Sequence, residues 1–242
     1  MSSYSPVRSE RRQSSFFLGL LILSQILGVA CIILTCVWLG VYYKGFSWTN
    51  SQTIFNYHPL FMVLGMLFLY GDAILVYRVF NNYRKLPIKV LHAVLHILAF
   101  LFSVIGIRAV FEMHDIFNYA HLYSLHSWLG IGTVALFAIQ WIGGLISFLL
   151  PQIPQRVRAK VLPIHVASGS FLFLMVVAVC VSGITEKNFF EKQYSLFLPR
   201  EMIGNALGVC IVLFGYLVYF LITHPNYRRV EEVSPEHRAL NE

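Results

Sequence analysis

Long apolar runs alternate with short polar connections along the whole chain. Six of these runs reach or approach the ~20 residues that a helix needs to cross a bilayer. They cover about 16–42, 58–78, 89–111, 124–150, 161–184 and 202–222. The pattern predicts an all-α membrane protein with six transmembrane helices. Those helices and their short loops use nearly all of the chain, which excludes an added soluble catalytic, flavin or nucleotide-binding domain within it. The expected organisation is a polar segment over 1–15, a transmembrane domain over 16–222 and a polar tail over 223–242.

Composition sharpens this picture. Hydrophobic residues make up 57% of the 242 and charged residues 12%, where a soluble domain carries roughly twice that charged share. The formal charge of +7 raises nucleic acid as a partner, but the placement of the charges argues against it. Arg8, Arg11 and Arg12 precede the first run, and Arg78, Arg84, Lys85 and Lys89 lie between the second and third. Arg156, Arg158 and Lys160 lie between the fourth and fifth, and Arg228, Arg229 and Arg238 are in the tail. The opposite loops carry only Lys44, Lys187, Lys192 and Arg200. By the positive-inside rule both termini are cytosolic. Membrane lipid, and no nucleic acid, is the expected surrounding. The first run is too long for the core of a signal peptide and is expected to stay as an anchor. Cys31, Cys36, Cys180 and Cys210 all fall within spans and read as reduced packing residues, and no haem-attaching CxxCH occurs.

Histidine is the candidate chemistry. Five imidazoles lie in or at the ends of spans: His58, His92, His96, His126 and His165. Ionisable groups at that depth are costly and usually functional. The topology sorts them by depth. His58 in "NYHPL" and His126 in "HLYSLHSWLG" begin helices that enter from the outer side. His92 in "KVLHAVLH" and His165 in "LPIHVASG" begin helices that enter from the cytosol. Two imidazoles from different helices at one depth are what axial ligation of a b-type haem requires. Each ligand then needs an acceptor for its second ring nitrogen; Ser124, Ser127 or a backbone carbonyl are the candidates. A single histidine at a helix mouth is more often an interfacial residue than a ligand, but four that pair by depth favour haem. His92 and His96 share a helix face, and spacing leaves open which of them binds. Glycines at 65, 71, 106, 130, 132, 143, 144, 169 and 183 allow close helix approach or room for a flat macrocycle.

The segments "FNYHPL", "AILVYRVF", "KVLHAVLH", "VFEMHDIFNYAHLYSLHSWLG", "LLPQIPQRVRAKVLPIH" and "SGITEK" closely resemble the cytochrome b561 family, over about Trp48 to Ile222. The resemblance implies a homodimer of six-helix chains whose four central helices hold two haem b groups (heme b). Carried over by position, His58 and His126 hold the outer haem, and His92 and His165 the inner one. His92 is thereby the ligand and His96 its neighbour. It further implies cytosolic ascorbate as donor, with monodehydroascorbate or Fe(III) as outer acceptor. Lys85, Lys89 and Arg158 match the cationic ascorbate site, and His114 the outer acceptor site. His121 lies outside the motif and reads as a surface residue. A secretory-vesicle, endosomal or lysosomal membrane is implied, with the plasma membrane an alternative. The tail tetrapeptide "YRRV" (Tyr227 to Val230) adds a weak endosomal sorting signal.

Two residues depart from the expected pattern. Arg108 stands near the outer end of the third helix, where it snorkels outward, meets a propionate or attracts an anion; the first is favoured. Asp72 lies in the second helix with Arg78 as candidate partner. Two competing functions remain: a histidine-based metal transporter, and a haem-bearing subunit that passes electrons to a partner protein.

Overall fold

The structure is a computed structural model that describes residues 15–192 and 194–227. The N-terminal arginines, Arg228, Arg229 and Arg238, and the last three residues of "YRRV" therefore lie outside the described residues. The described residues form six helices long and apolar enough to cross a membrane. They are α1 (Ser15–Tyr42), α2 (Ile54–Val79), α3 (Lys85–Phe117), α4 (Leu125–Leu149), α5 (Gln155–Phe190) and α6 (Pro199–Thr223).

Several helices outrun the apolar stretches that announce them. α3 has 33 residues and α5 has 36, about 50 Å each at 1.5 Å per residue, against a hydrocarbon core of about 30 Å. Hydropathy marks only the part inside that core. The polar ends stay helical, so Lys85, Lys89, His114, Arg158 and the "SGITEK" segment sit on helices and not in loops. For Arg158 this corrects the expected loop position: Pro154 stands just ahead of the helix and Gln155 opens it.

α2 is the central element, with half of its apolar window buried against 17% for α4 and α5. It does not run as a uniform α-helix. Pro59 has no N–H to return to Phe55, and the turns that follow widen into a π-helical stretch over Met62–Leu69. α1 and α6 pack together on one side of it, where Cys31, Trp38, Leu207, Ile211 and Phe214 are buried. Much of the remaining surface is apolar, with Phe16, Leu101, Ile139, Phe171 and Tyr216 facing outward, as lipid contact requires.

Interhelical hydrogen bonds tie the other helices together. The Tyr70 hydroxyl on α2 donates to the Gly169 carbonyl on α5 at 2.8 Å. Trp141 Nε1 on α4 donates to the Ala93 carbonyl on α3 at 3.0 Å. Gln140 Nε2 on α4 donates to the His165 carbonyl on α5 at 2.6 Å, and Ser168 Oγ donates back to Gln140 Oε1 at 3.0 Å. Asp72 accepts from Gln25 Nε2 on α1 at 2.8 Å. Arg78 reaches the carbonyls of Ile222 and Tyr227 at the end of α6. Asp72 and Arg78 thus fasten α2 to the α1–α6 pair.

α4 begins with a capping box: the Ser124 hydroxyl accepts from the Ser127 N–H at 3.2 Å, and the Ser127 hydroxyl accepts from the Ser124 N–H at 3.1 Å. This fixes the first turn, two residues before His126. Ser124→Ala is expected to cost about 1 kcal/mol, read as a lower thermal midpoint in detergent. Thr185→Ala, on an exposed part of α5, should stay within about 0.5 kcal/mol of the native protein.

Candidate functional site

Four imidazoles meet in two pairs. His58 on α2 faces His126 on α4 with ring centroids 6.1 Å apart. His92 on α3 faces His165 on α5 at 6.3 Å. A metal bound at about 2 Å by each of two imidazole nitrogens, each roughly 1 Å from its ring centre, requires about 6 Å between centroids. Both pairs meet that spacing.

The other ring nitrogen is held in three of the four. His58 Nδ1 lies 3.2 Å from the Gly106 carbonyl on α3, and His92 Nδ1 lies 2.7 Å from the Ala73 carbonyl on α2. His126 Nδ1 lies 3.0 Å from the Val179 carbonyl on α5 and 3.3 Å from Ser182 Oγ. A carbonyl only accepts, so each Nδ1 carries the proton and each Nε2 keeps its lone pair for a metal. Backbone carbonyls and Ser182 fill the orienting role; Ser124 and Ser127 are engaged with the start of α4 instead.

Glycine backs two of these rings. A Cβ at Gly183 would stand 2.6 Å from His126 Cε1, and one at Gly144 would stand 2.8 Å from His165 Cε1. The imidazole from α4 leans on α5 at one end of the bundle, and the imidazole from α5 leans on α4 at the other. Any side chain there would push the ring out of line.

His96 is buried beside the inner pair, with Nδ1 lacking a partner. Its ring lies 4.3 Å from His92, 4.9 Å from Tyr70 and 5.3 Å from Phe137. The aromatic packing of Tyr70 and Phe137 therefore lies directly against the inner pair.

The end of the bundle that the charge pattern assigns to the outside holds a cavity of about 890 Å³, at the upper end of the range for cofactor and small-molecule sites. His58 and His126 line its depth and His114, Tyr119, His121 and Tyr123 its rim. His114 Nδ1 donates to the Ala120 carbonyl at 2.9 Å. His114 lies with its ring 5.7 Å from His121 and 5.9 Å from Tyr123, near parallel to both. His121 is paired through Nε2 with Asp115 at 2.9 Å and stacks on Phe111 at 4.7 Å. His121 is thus part of the rim and more than a loop-surface residue; no spacing signal in the sequence joined it to His114. Burial and the nearby Glu186 carboxylate push the Tyr123 phenol above its usual range, so it stays a proton donor. Arg108 pairs with Glu112 one turn away on the exposed face of α3.

At the opposite end the predicted cations converge. Lys89 Nζ donates to the Phe148 carbonyl at 3.1 Å. Arg158 Nη2 donates to the carbonyls of Leu150 at 2.8 Å and Pro151 at 3.4 Å. Both complement the C-terminal end of α4, whose last carbonyls have no helical partner. Lys85 stands four residues before Lys89 on α3, one turn away on the same side of the helix. Lys89 and Arg158 keep further N–H groups for a ligand. Phe148 was not singled out from the sequence, yet its ring lies 5.1 Å from His165. It links the cationic end to the inner pair.

Among the described residues no three His, Cys, Asp or Glu side chains form a metal cluster. A sequence model described as eukaryotic cytochrome b561 matches residues 57–191, which include all four paired histidines. The chain belongs to the cytochrome b561 family. It is 46% identical over 225 residues to a lysosomal membrane ascorbate-dependent ferrireductase of Danio rerio, covering 89% of this chain and 91% of the relative. It is 42% identical over 220 residues to a transmembrane ascorbate-dependent reductase of Bos taurus, covering 90% and 86% respectively. A cytochrome b561 binds haem b; both pairs fit that group in spacing, His58, His92 and His126 in tautomer, and the His58–His126 pair in opening on a cavity.

The glycine backing generates a prediction. Gly183→Ala should displace His126 and lower the haem-to-protein ratio, while Gly144→Ala should act on His165 and the other centre. Each overpacked site is expected to cost about 1–3 kcal/mol of holoprotein stability. Pyridine haemochrome assays with low-temperature electron paramagnetic resonance spectra will show whether the two variants weaken different low-spin signals.

Proposed function

We propose that this cytochrome b561 is a transmembrane oxidoreductase that takes single electrons from cytosolic ascorbate and delivers them to ferric iron or monodehydroascorbate on the outer side. The observation that carries this reading is the placement of two facing histidine pairs on four helices, with a cationic end beside one and an aromatic cavity over the other. In this reading the protein holds two b haems: His58 and His126 ligate the outer one, His92 and His165 the inner one. Each pair of histidines would hold one haem b, which would supply a one-electron iron couple for outer-sphere transfer.

The chain's own residues do the rest. Lys85, Lys89 and Arg158 recruit the ascorbate anion to the end of α4, next to Phe148 and the inner histidines. Backbone carbonyls of Ala73, Gly106 and Val179 keep the Nδ1 protons in place and the Nε2 lone pairs inward. Tyr70, His96 and Phe137 exclude water between the two levels. His114, with His121 and Tyr123 around it, receives the acceptor at the cavity rim.

Both termini are cytosolic in this topology, and the resemblance to lysosomal ferrireductases supports an endolysosomal membrane. The family pattern supports a homodimer. Purified protein in liposomes carrying ascorbate on one side and a ferric chelate on the other tests the activity: electrons should cross without a partner protein. Failure to cross unless a second protein is supplied would sink the reading.

The ascorbate site has its own test. Each cation beside a partly exposed anion is worth about 1 kcal/mol, so Lys89→Ala should slow reduction by ascorbate several-fold in stopped-flow mixing. An uncharged reductant should be unaffected. Equal slowing with both donors would mean that Lys89 holds the inner centre and not the substrate.

A further inference from the structure

The motif "SGITEK" ends in Glu186 and Lys187, which have no part in the reading above. Both line the outer cavity, and among the described residues Lys187 is the one with a permanent positive charge that lines it. Successive residues on a helix point about 100° apart, and the two side chains take opposite walls. Glu186 Oε2 accepts from the Ser124 hydroxyl at 3.2 Å, on the α4 side. Lys187 turns toward the α1–α2 side, where its ammonium lies 4.3 Å from the Tyr43 ring centre and 5.5 Å from that of Phe55. The Phe55 ring in turn lies 5.9 Å from His58.

The surroundings hold this ammonium in place without removing it from the cavity. Lys187 Nζ bonds Glu191 at 3.1 Å. The other oxygen of Glu191 is taken by Arg200, which also bonds the buried Glu201. Neither Glu191 nor Glu201 lines the cavity, so the negative charges of this network lie behind the lysine. Burial and Glu191 push the Tyr43 phenol well above its usual range. Tyr43 is therefore a neutral ring, and cation–π contact with it costs the lysine none of its charge. One hydrogen bond to Glu191 leaves two ammonium donors for a ligand.

We infer that Lys187 is an anion-recognition residue of the outer cavity, seating a small oxygen-rich anion against the His58 wall. This rests on the proposed outward electron delivery and deepens it by naming the chemical class of the acceptor. Monodehydroascorbate carries such a charge itself, and carboxylate ligands give a ferric chelate the same character. An ammonium fixed at the wall that Phe55 shares with His58 draws either toward the point of electron release, and it repels a cationic acceptor.

The test uses full-length holoprotein reduced beforehand with dithionite, so the ascorbate site plays no part. Native, Lys187→Gln and Lys187→Arg proteins are mixed with three acceptors: ferric citrate, enzymatically generated monodehydroascorbate, and hexaammineruthenium(III) as a cation. Lys187→Gln should slow oxidation by the anionic acceptors roughly fivefold, the equivalent of about 1 kcal/mol. The cation should oxidise it at least as fast as it does the native protein, and Lys187→Arg should restore most of the anion rate. Slowing with ferric citrate alone, or with monodehydroascorbate alone, supports the inference and tells which anion the lysine seats. Haem content and midpoint potentials are measured on every variant. Loss of a haem or a shifted outer potential in Lys187→Gln would overturn the inference, because the lysine would then hold a propionate. Equal rates for all three acceptors would overturn it too. A reduced native protein that no acceptor oxidises would instead overturn the proposed outward delivery on which the inference rests.

Discussion

A buried imidazole that is to bind metal must present a lone pair on one side and give up a proton bond on the other. In this protein the second requirement is met by the backbone of a neighbouring helix. His58 bonds to the Gly106 carbonyl and His92 to the Ala73 carbonyl, so α2 and α3 each orient the other's histidine. α4 and α5 repeat the arrangement differently: His126 bonds to the Val179 carbonyl, and His165 lies against Gly144. The carbonyls that serve as acceptors are already part of helices, and a second lone pair on each makes the extra bond possible. Helix packing and histidine orientation are thus one and the same constraint. A helix that shifted along its axis would break the orientation of a histidine it does not carry.

The same constraint accounts for features that otherwise look unrelated. Gln140 and Ser168 hold α5 against α4 at the level of His165. Tyr70 bridges α2 to α5 between the two levels. The capping box at Ser124 sets where α4 starts and so how deep His126 stands. The wide turns of α2 over Met62–Leu69 lie between His58 and the Ala73 carbonyl that serves His92. Irregular helix at that place adjusts the phase of one end of α2 relative to the other.

Much of this was legible in the sequence. Apolar runs give the number of helices, and histidines at matching depth name the pairs that the fold brings face to face. The ends of the helices were not legible, because hydropathy falls off at the headgroup level while backbone hydrogen bonding continues through Arg158 and His114. The glycine contacts were legible only as composition: Gly144 and Gly183 press on rings, whereas Gly132 and Gly143 meet nothing within 4 Å. His121 and Phe148 were missed for a different reason. Each acts through a ring contact to a residue distant in the chain or across a turn, and no periodicity encodes that. The backbone acceptors are invisible in principle, since any residue type supplies a carbonyl.

The central claim is that the four histidines work as two fixed pairs, His58 with His126 and His92 with His165. Haem-to-protein ratios of single and double alanine variants test it most directly. The His58/His126 double variant is expected to lose no more haem than either single variant, about half of the native content if each pair holds one group. His58/His165 should lose nearly all of it. A His58/His126 double variant devoid of haem, beside a His58/His165 variant that keeps half, would contradict the pairing.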